Sequence, residues 1–118
     1  MEIINQPLFE QLINEALKQE FSGWDFRYLA NRWNEASLSW EYPKIVRSHI
    51  KPEFCMLDMD TGGGEMLSSF MPLPKNTYAT EGYPPNVPIA RNRLKPLGVK
   101  VIQVWGDDIL PFENDYFD

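Results

Sequence analysis

Apolar positions in the first third of the chain recur at helical spacing. Leu8, Phe9, Leu12, Ile13, Ala16, Leu17 and Phe21 fall on one helical face. Asn5-Gln6-Pro7 supplies the start, with Asn5 or Gln6 as cap and Pro7 in the first turn. Ser22-Gly23 stops this helix, and Trp24 to Leu29 opens a second, aromatic-rich segment. Leu38 to Tyr42 is a short connector. Pro43 to His49 predicts another helix with Ile45, Val46 and Ile50 turned inward. Residues 1–52 therefore read as a helical N-terminal cap.

From Phe54 the period changes. Phe54 to Met59 is an apolar run that ends in acidic residues and breaks into Gly62-Gly63-Gly64. A helix is expected from Gly64 to about Met71, then a turn over Pro72 to Asn76. Thr77 to Thr80 predicts a short strand ending at Glu81. Pro84-Pro85-Asn86 sets up a helix whose apolar face is Val87, Ile89, Ala90 and Leu94, and Pro88 fits only in its first turn. Gly98 is placed to cap that helix. Val99 to Trp105 predicts a third strand, followed by Gly106-Asp107-Asp108. Strands that alternate with helices imply an α/β fold: residues 53–118 form the first half of a doubly wound parallel sheet, three strands cut before a fourth.

Composition narrows the function classes. The chain has 118 residues, 43% hydrophobic and 24% charged, which suits a folded domain. Net charge is −6, which argues against an autonomous nucleic-acid binder because phosphate contacts need a basic face. One cysteine, Cys55, and one histidine, His49, give no metal-ligand cluster. Cys55 reads as a small hydrophobe within the first strand, and His49 as a helix-end residue. No apolar run approaches membrane-spanning length, and Met1 to Gln6 lacks a signal-peptide pattern, so a cytoplasmic location is expected. Trp24, Phe26, Tyr28, Trp33 and Trp40 are read as core and cap packing rather than as a substrate platform.

The candidate chemistry gathers at strand ends. Ligands of open parallel sheets bind outside the carboxyl ends of the strands. Asp58 or Asp60, Glu81, and Asp107 or Asp108 all map there. A carboxylate can accept from both hydroxyls of a ribose, which suits Glu81, although an acid at a helix start is also favoured by the helix dipole. An exocyclic amine is a donor that Asp107 or Asp108 could accept. Glycines let the backbone reach positive φ and let a ligand approach the main chain.

These residues resemble a known family. Leu57-Asp58-Met59-Asp60-Thr61-Gly62-Gly63-Gly64-Glu65 resembles motif I of class I S-adenosylmethionine-dependent methyltransferases, acidic-x-Gly-x-Gly-x-Gly. Asp58, Gly62 and Gly64 fall on that pattern, and Asp60 stands where its first glycine is usual. Ala79-Thr80-Glu81 resembles the ribose-binding acidic position. Gly106-Asp107-Asp108 with Leu110-Pro111-Phe112 resembles the adenine-contacting motif, after which Phe117-Asp118 would begin a fourth strand. Gly82 stands where the family usually packs an apolar residue on adenine, and Tyr83 is the nearest substitute. More weakly, Trp24-Asp25-Phe26 through Trp40-Glu41-Tyr42 resembles the N-terminal cap of some small-molecule methyltransferases. The resemblance implies S-adenosylmethionine as cofactor, held by Asp58, Asp60, Gly62, Gly64, Glu81, Gly82, Tyr83, Asp107 and Asp108, with no residue marked as a general base and the methyl acceptor unspecified.

Two other readings stand beside it. A dinucleotide-binding dehydrogenase would need Gly-x-Gly-x-x-Gly, and from Gly62 the third position is Leu67. A non-catalytic nucleotide-binding or oligomerising module fits the same strands without methyl transfer. A first strand lacking a fourth beside it is an apolar edge, and such edges recruit partners. The expectation is a homo-oligomer paired through that edge. Light scattering at micromolar concentration should report a dimer or larger species, and a monodisperse monomer would reject the edge pairing.

Overall fold

The computed structural model describes residues 5–21, 23, 25–106 and 108–118. The chain divides into two units, Met1–Asn34 and Glu35–Asp118. Among the described residues no helix is long and apolar enough to cross a membrane.

The first unit carries α1, Gln6–Leu17, and a 3-10 turn, Arg27–Leu29. Asn5 is the cap: its side-chain oxygen accepts the Leu8 N–H at 3.3 Å, and Pro7 sits in the first turn. The helix ends at Leu17, short of Phe21, as the Lys18 and Gln19 amides turn back to Glu15 and Ala16. The expected apolar face is present in sequence, but none of α1 is buried. Phe26 and Trp33 are likewise exposed, as is Trp40 in the second unit, which corrects their reading as core. A unit of this length is below the size that closes a core by itself. Ser22 and Trp24 lie outside the described residues.

The second unit opens with α2, Tyr42–His49. Val46 and Ile50 pack on the core, whereas Ile45 is exposed. Positions four apart share a helical face, and Ile45 is a third of a turn away from that pair. Three parallel strands follow: β1 Cys55–Asp58, β2 Asn76–Glu81 and β3 Lys100–Gln103. They form one sheet in the order β1-β2-β3, with Asp58 opposite Ala79 and Glu81 opposite Gln103. The connections are α3, Glu65–Ser68, and α4, Asn86–Leu94, which runs on into a 3-10 turn, Lys95–Leu97. Pro88 occupies the first turn of α4, and Gly98 closes the segment at φ 81°. This is the expected α/β order of N-terminal helices followed by a three-stranded parallel sheet.

Each sheet face has a different cover. Leu67, Phe70, Ala79, Ala90, Leu94 and Val99 form the core, with Met56 and Val101 against it. On the opposite face Tyr78 gathers the C-terminal aromatics: Phe112, Tyr116 and Phe117 stand edge-on at 5.5, 5.7 and 5.7 Å. Asp118 then reaches β1, its N–H donating to the Cys55 carbonyl at 3.0 Å and its carboxylate accepting the Cys55 N–H at 2.8 Å. The start of the β1 edge is therefore engaged by this chain's own tail.

Gly64 and Gly98 share φ 81° but differ in surroundings. A Cβ on Gly64 would lie 2.7 Å from Leu94 Cγ, whereas one on Gly98 would meet nothing within 4 Å. Alanine at either costs about 1–2 kcal/mol for the left-handed backbone, and Gly64→Ala adds about 1–3 kcal/mol of overpacking. Urea denaturation should rank Gly64→Ala clearly below Gly98→Ala, and equal losses would refute the steric account.

Candidate functional site

The carboxyl ends of β1, β2 and β3 lie side by side, with Asp58 ending β1 and Glu81 ending β2. After Asp58 the chain alternates through left-handed backbone at Asp60, Gly62 and Gly64, with φ of 54°, 62° and 81°. Aspartate tolerates that region better than most residues, which is how Asp60 stands in for a glycine. The Thr61 N–H donates to the Thr80 carbonyl at 2.9 Å, sewing the loop to β2, and the Gly64 N–H closes the turn on Thr61 at 3.0 Å.

Two residues of α4 hold this loop from behind. Arg93 Nη1 donates to the Gly63 carbonyl at 2.6 Å and pairs with the Glu65 carboxylate. Leu94 fills the space that a Gly64 side chain would need. Neither contact was visible in the sequence, since no spacing rule links position 93 to position 63.

Asp58 sits in a half-buried setting. Burial pushes its carboxyl above the ordinary aspartate range, the Thr61 hydroxyl beside it acts the other way, and the negative charge of Asp60 adds to the rise.

Glu81 is the most constrained acid of the site, only 4% exposed. Its Oε1 accepts the Tyr83 N–H at 2.7 Å, while Oε2 is buried without a hydrogen-bond partner. Buried polar atoms are satisfied in the great majority of cases, and leaving one unpaired costs about 1–3 kcal/mol. Asn86, the first residue of α4, is equally buried with its Nδ2 unpartnered. It was missed by sequence because an asparagine after Pro-Pro reads as a helix start.

Gly82 follows without steric need: a Cβ there would lie 3.7 Å from the Val104 carbonyl, an ordinary contact. Tyr83 is half exposed. At β3 the Val104 N–H still donates to the Glu81 carbonyl at 3.1 Å, one residue past the strand. Trp105 lies beyond β3 rather than in it. Asp107 lies outside the described residues. Asp108 is exposed, and its carboxylate folds over Gly106, Oδ1 lying 2.8 Å from where a Cβ on Gly106 would be. A cavity of about 300 Å³ opens here, lined by Gln103, Trp105, Asp108, Ile109 and Pro111 among others.

The remaining candidates take ordinary roles. His49 Nδ1 lies 2.8 Å from the Ile45 carbonyl at the end of α2, and Cys55 is a half-buried thiol. No group of His, Cys, Asp and Glu among the described residues is arranged to hold a metal.

Because its folded form favours the protonated state, Asp58 opposes stability as pH rises. Stability falls from below the ordinary aspartate pKa through the raised folded value, then stays level. Asp58→Asn should be more stable than the natural chain at neutral pH, with the difference vanishing in acid. Urea midpoints from pH 3 to 7 test this, and a variant less stable at neutral pH would mean that the loop amides outweigh burial.

Comparison with family models, with curated proteins and with solved structures finds no match to this chain.

Proposed function

We propose that the carboxyl edge of the sheet binds the nucleoside of S-adenosylmethionine and that the chain serves methyl transfer. The observation that carries this reading is the buried, unpartnered Oε2 of Glu81 at the end of β2. A ribose diol brings two O–H donors to that position, and one of them satisfies the orphan while Oε1 keeps the Tyr83 N–H. The left-handed turn at Asp60, Gly62 and Gly64 carries the backbone along the carboxyl edge of the sheet, where the amino-acid end of the cofactor would lie. Asp58 and Asp60 supply negative charge beside it, which suits an ammonium and a sulfonium.

The bound cofactor supplies a methyl group on a positively charged sulfur, open to in-line attack by an acceptor nucleophile. What this chain contributes is position. Glu81 orients the sugar, the glycine loop seats the amino-acid end, and Asp107 or Asp108 accepts from the adenine amine. Such positioning alone accounts for several powers of ten in rate. A nucleoside-binding module without transfer is the second reading. It is favoured by the exposure of Asp60, Tyr83, Trp105 and Asp108, since methyl transfer benefits from a site closed to water.

Calorimetric titration with S-adenosylhomocysteine tests both. The folded chain should bind it, and Glu81→Ala should weaken binding by about 1–3 kcal/mol, the cost of lost buried hydrogen bonds. Absence of binding, or an unchanged affinity in Glu81→Ala, would overturn the proposal. Binding without methyl transfer to any acceptor in a screen would leave the second reading.

A further inference from the structure

The order β1-β2-β3 leaves the sheet two edges. Asp118 engages the start of the β1 edge, whereas among the described residues no strand lies beyond β3. Successive residues of a strand turn their N–H and C=O to opposite neighbours. The Val104 N–H turns to β2, where it meets the Glu81 carbonyl. By alternation Ile102 and Lys100 turn the same way, and the backbone groups of Val101 and Gln103 turn to the open side.

Positive charge gathers along this edge. The chain is −6 overall, yet Gly82 to Gly106 contains Arg91, Arg93, Lys95 and Lys100 and no aspartate or glutamate. Arg93 is paired with Glu65. Arg91, on α4, and Lys95, at the start of the 3-10 turn after it, are exposed. Among the described residues neither enters an ion pair. Together with Asn92, Val99, Lys100 and Val101 they line a cavity of about 450 Å³. The Lys100 ammonium lies on the other face of the sheet, 4.7 Å over the Tyr78 ring, and donates to the Tyr78 hydroxyl at 3.1 Å. Cations therefore flank the β3 edge from both faces.

We propose that β3 is a docking edge for an extended acidic segment of a partner protein, which adds to the sheet as a further strand. The backbone groups of Val101 and Gln103 supply the pairing, and Arg91, Lys95 and Lys100 select the sequence that pairs. A lysine on an edge strand ordinarily discourages strand addition. Here the cations lack acidic neighbours, so they repel basic strands and attract one that brings carboxylates. Val99 and Val101 give the cavity an apolar part, which suits a segment that alternates acidic and apolar positions. The net charge of the chain disfavours a nucleic acid in the same place. A polyanion meets the repulsion of the whole molecule, whereas a short segment responds to charges within a Debye length, about 8 Å at physiological salt. This reading goes beyond the carboxyl-edge site and stands independently of it.

The test is fluorescence anisotropy with an end-blocked, dye-labelled peptide that alternates glutamate and valine. A lysine–valine peptide, the glutamate–valine peptide N-methylated along one edge, and an oligothymidylate of equal length are the comparisons. The proteins are the natural chain, the double variant Arg91→Glu/Lys95→Glu and, as a control with the same net charge, Lys18→Glu/Lys75→Glu. Circular dichroism verifies folding, which these exposed positions should not disturb. The natural chain should bind the glutamate–valine peptide and not the lysine–valine one. Arg91→Glu/Lys95→Glu should weaken that binding by about tenfold or more, since like charges then face each other. The control variant should bind within about threefold of the natural chain, because its charges lie away from the edge. N-methylation should weaken binding by about tenfold or more, since it removes several backbone hydrogen bonds at once. An N-methylated peptide that binds as tightly as its parent would overturn strand addition and leave an anion site. Oligothymidylate that binds more tightly than the peptide, and loses affinity in Arg91→Glu/Lys95→Glu, would reject the peptide in favour of nucleic acid. No peptide binding to the folded chain at millimolar concentration, or equal loss in the control variant, would also overturn the proposal.

Discussion

The close approach of α4 to the backbone of the glycine loop governs the geometry of the second unit. Leu94 is fully buried, and its branched end occupies the volume that any side chain at Gly64 would require. One residue earlier, Arg93 bonds the Gly63 carbonyl and pairs with Glu65. The loop is therefore held from behind by α4 and from the side by β2, through the Thr61 amide on the Thr80 carbonyl. With both restraints in place, three left-handed residues in alternation are sustained in a segment that would otherwise cost conformational energy at Asp60. The loop is held in place because the helix behind it belongs to the hydrophobic core.

Glu81 stands at the other pole of the arrangement. A carboxylate so deeply buried, with one oxygen bonded and the other unpaired, is unfavourable in the empty fold. Its main chain is held from the β3 side, by the β2–β3 register and by the Val104 amide. The side chain cannot swing out to water without losing the Tyr83 N–H. Glu81 thus carries a cost that the rest of the second unit offsets, because its backbone and one carboxylate oxygen are both engaged.

The order of elements in the second unit was legible because each signal was local. The glycine run after Asp58, Pro-Pro-Asn before α4 and Gly98 after it are punctuation that the backbone obeys for steric reasons. The acidic residues at the ends of β1 and β2 were legible from position alone, since parallel strands bring their carboxyl ends to one edge. What escaped was tertiary. The hold of Arg93 on the loop, the burial of Asn86 and the exposure of Trp105 each depend on which element lies across from which. The aromatic residues of the N-terminal third misled for the same reason: a tryptophan in sequence reports the area available for burial, not whether a neighbouring element covers it.

Asp60 shows how one departure from a glycine pattern can be absorbed structurally and still alter chemistry. Its φ of 54° retains the turn that a glycine would make, so the loop keeps its shape. The carboxylate it adds is a second charge near Asp58, and that charge raises the Asp58 pKa beyond what burial alone does. The Asp60 carboxylate therefore makes the ionised form of Asp58 costlier in the folded chain, while the shape of the loop is set by Gly62, Gly64 and the helix behind them.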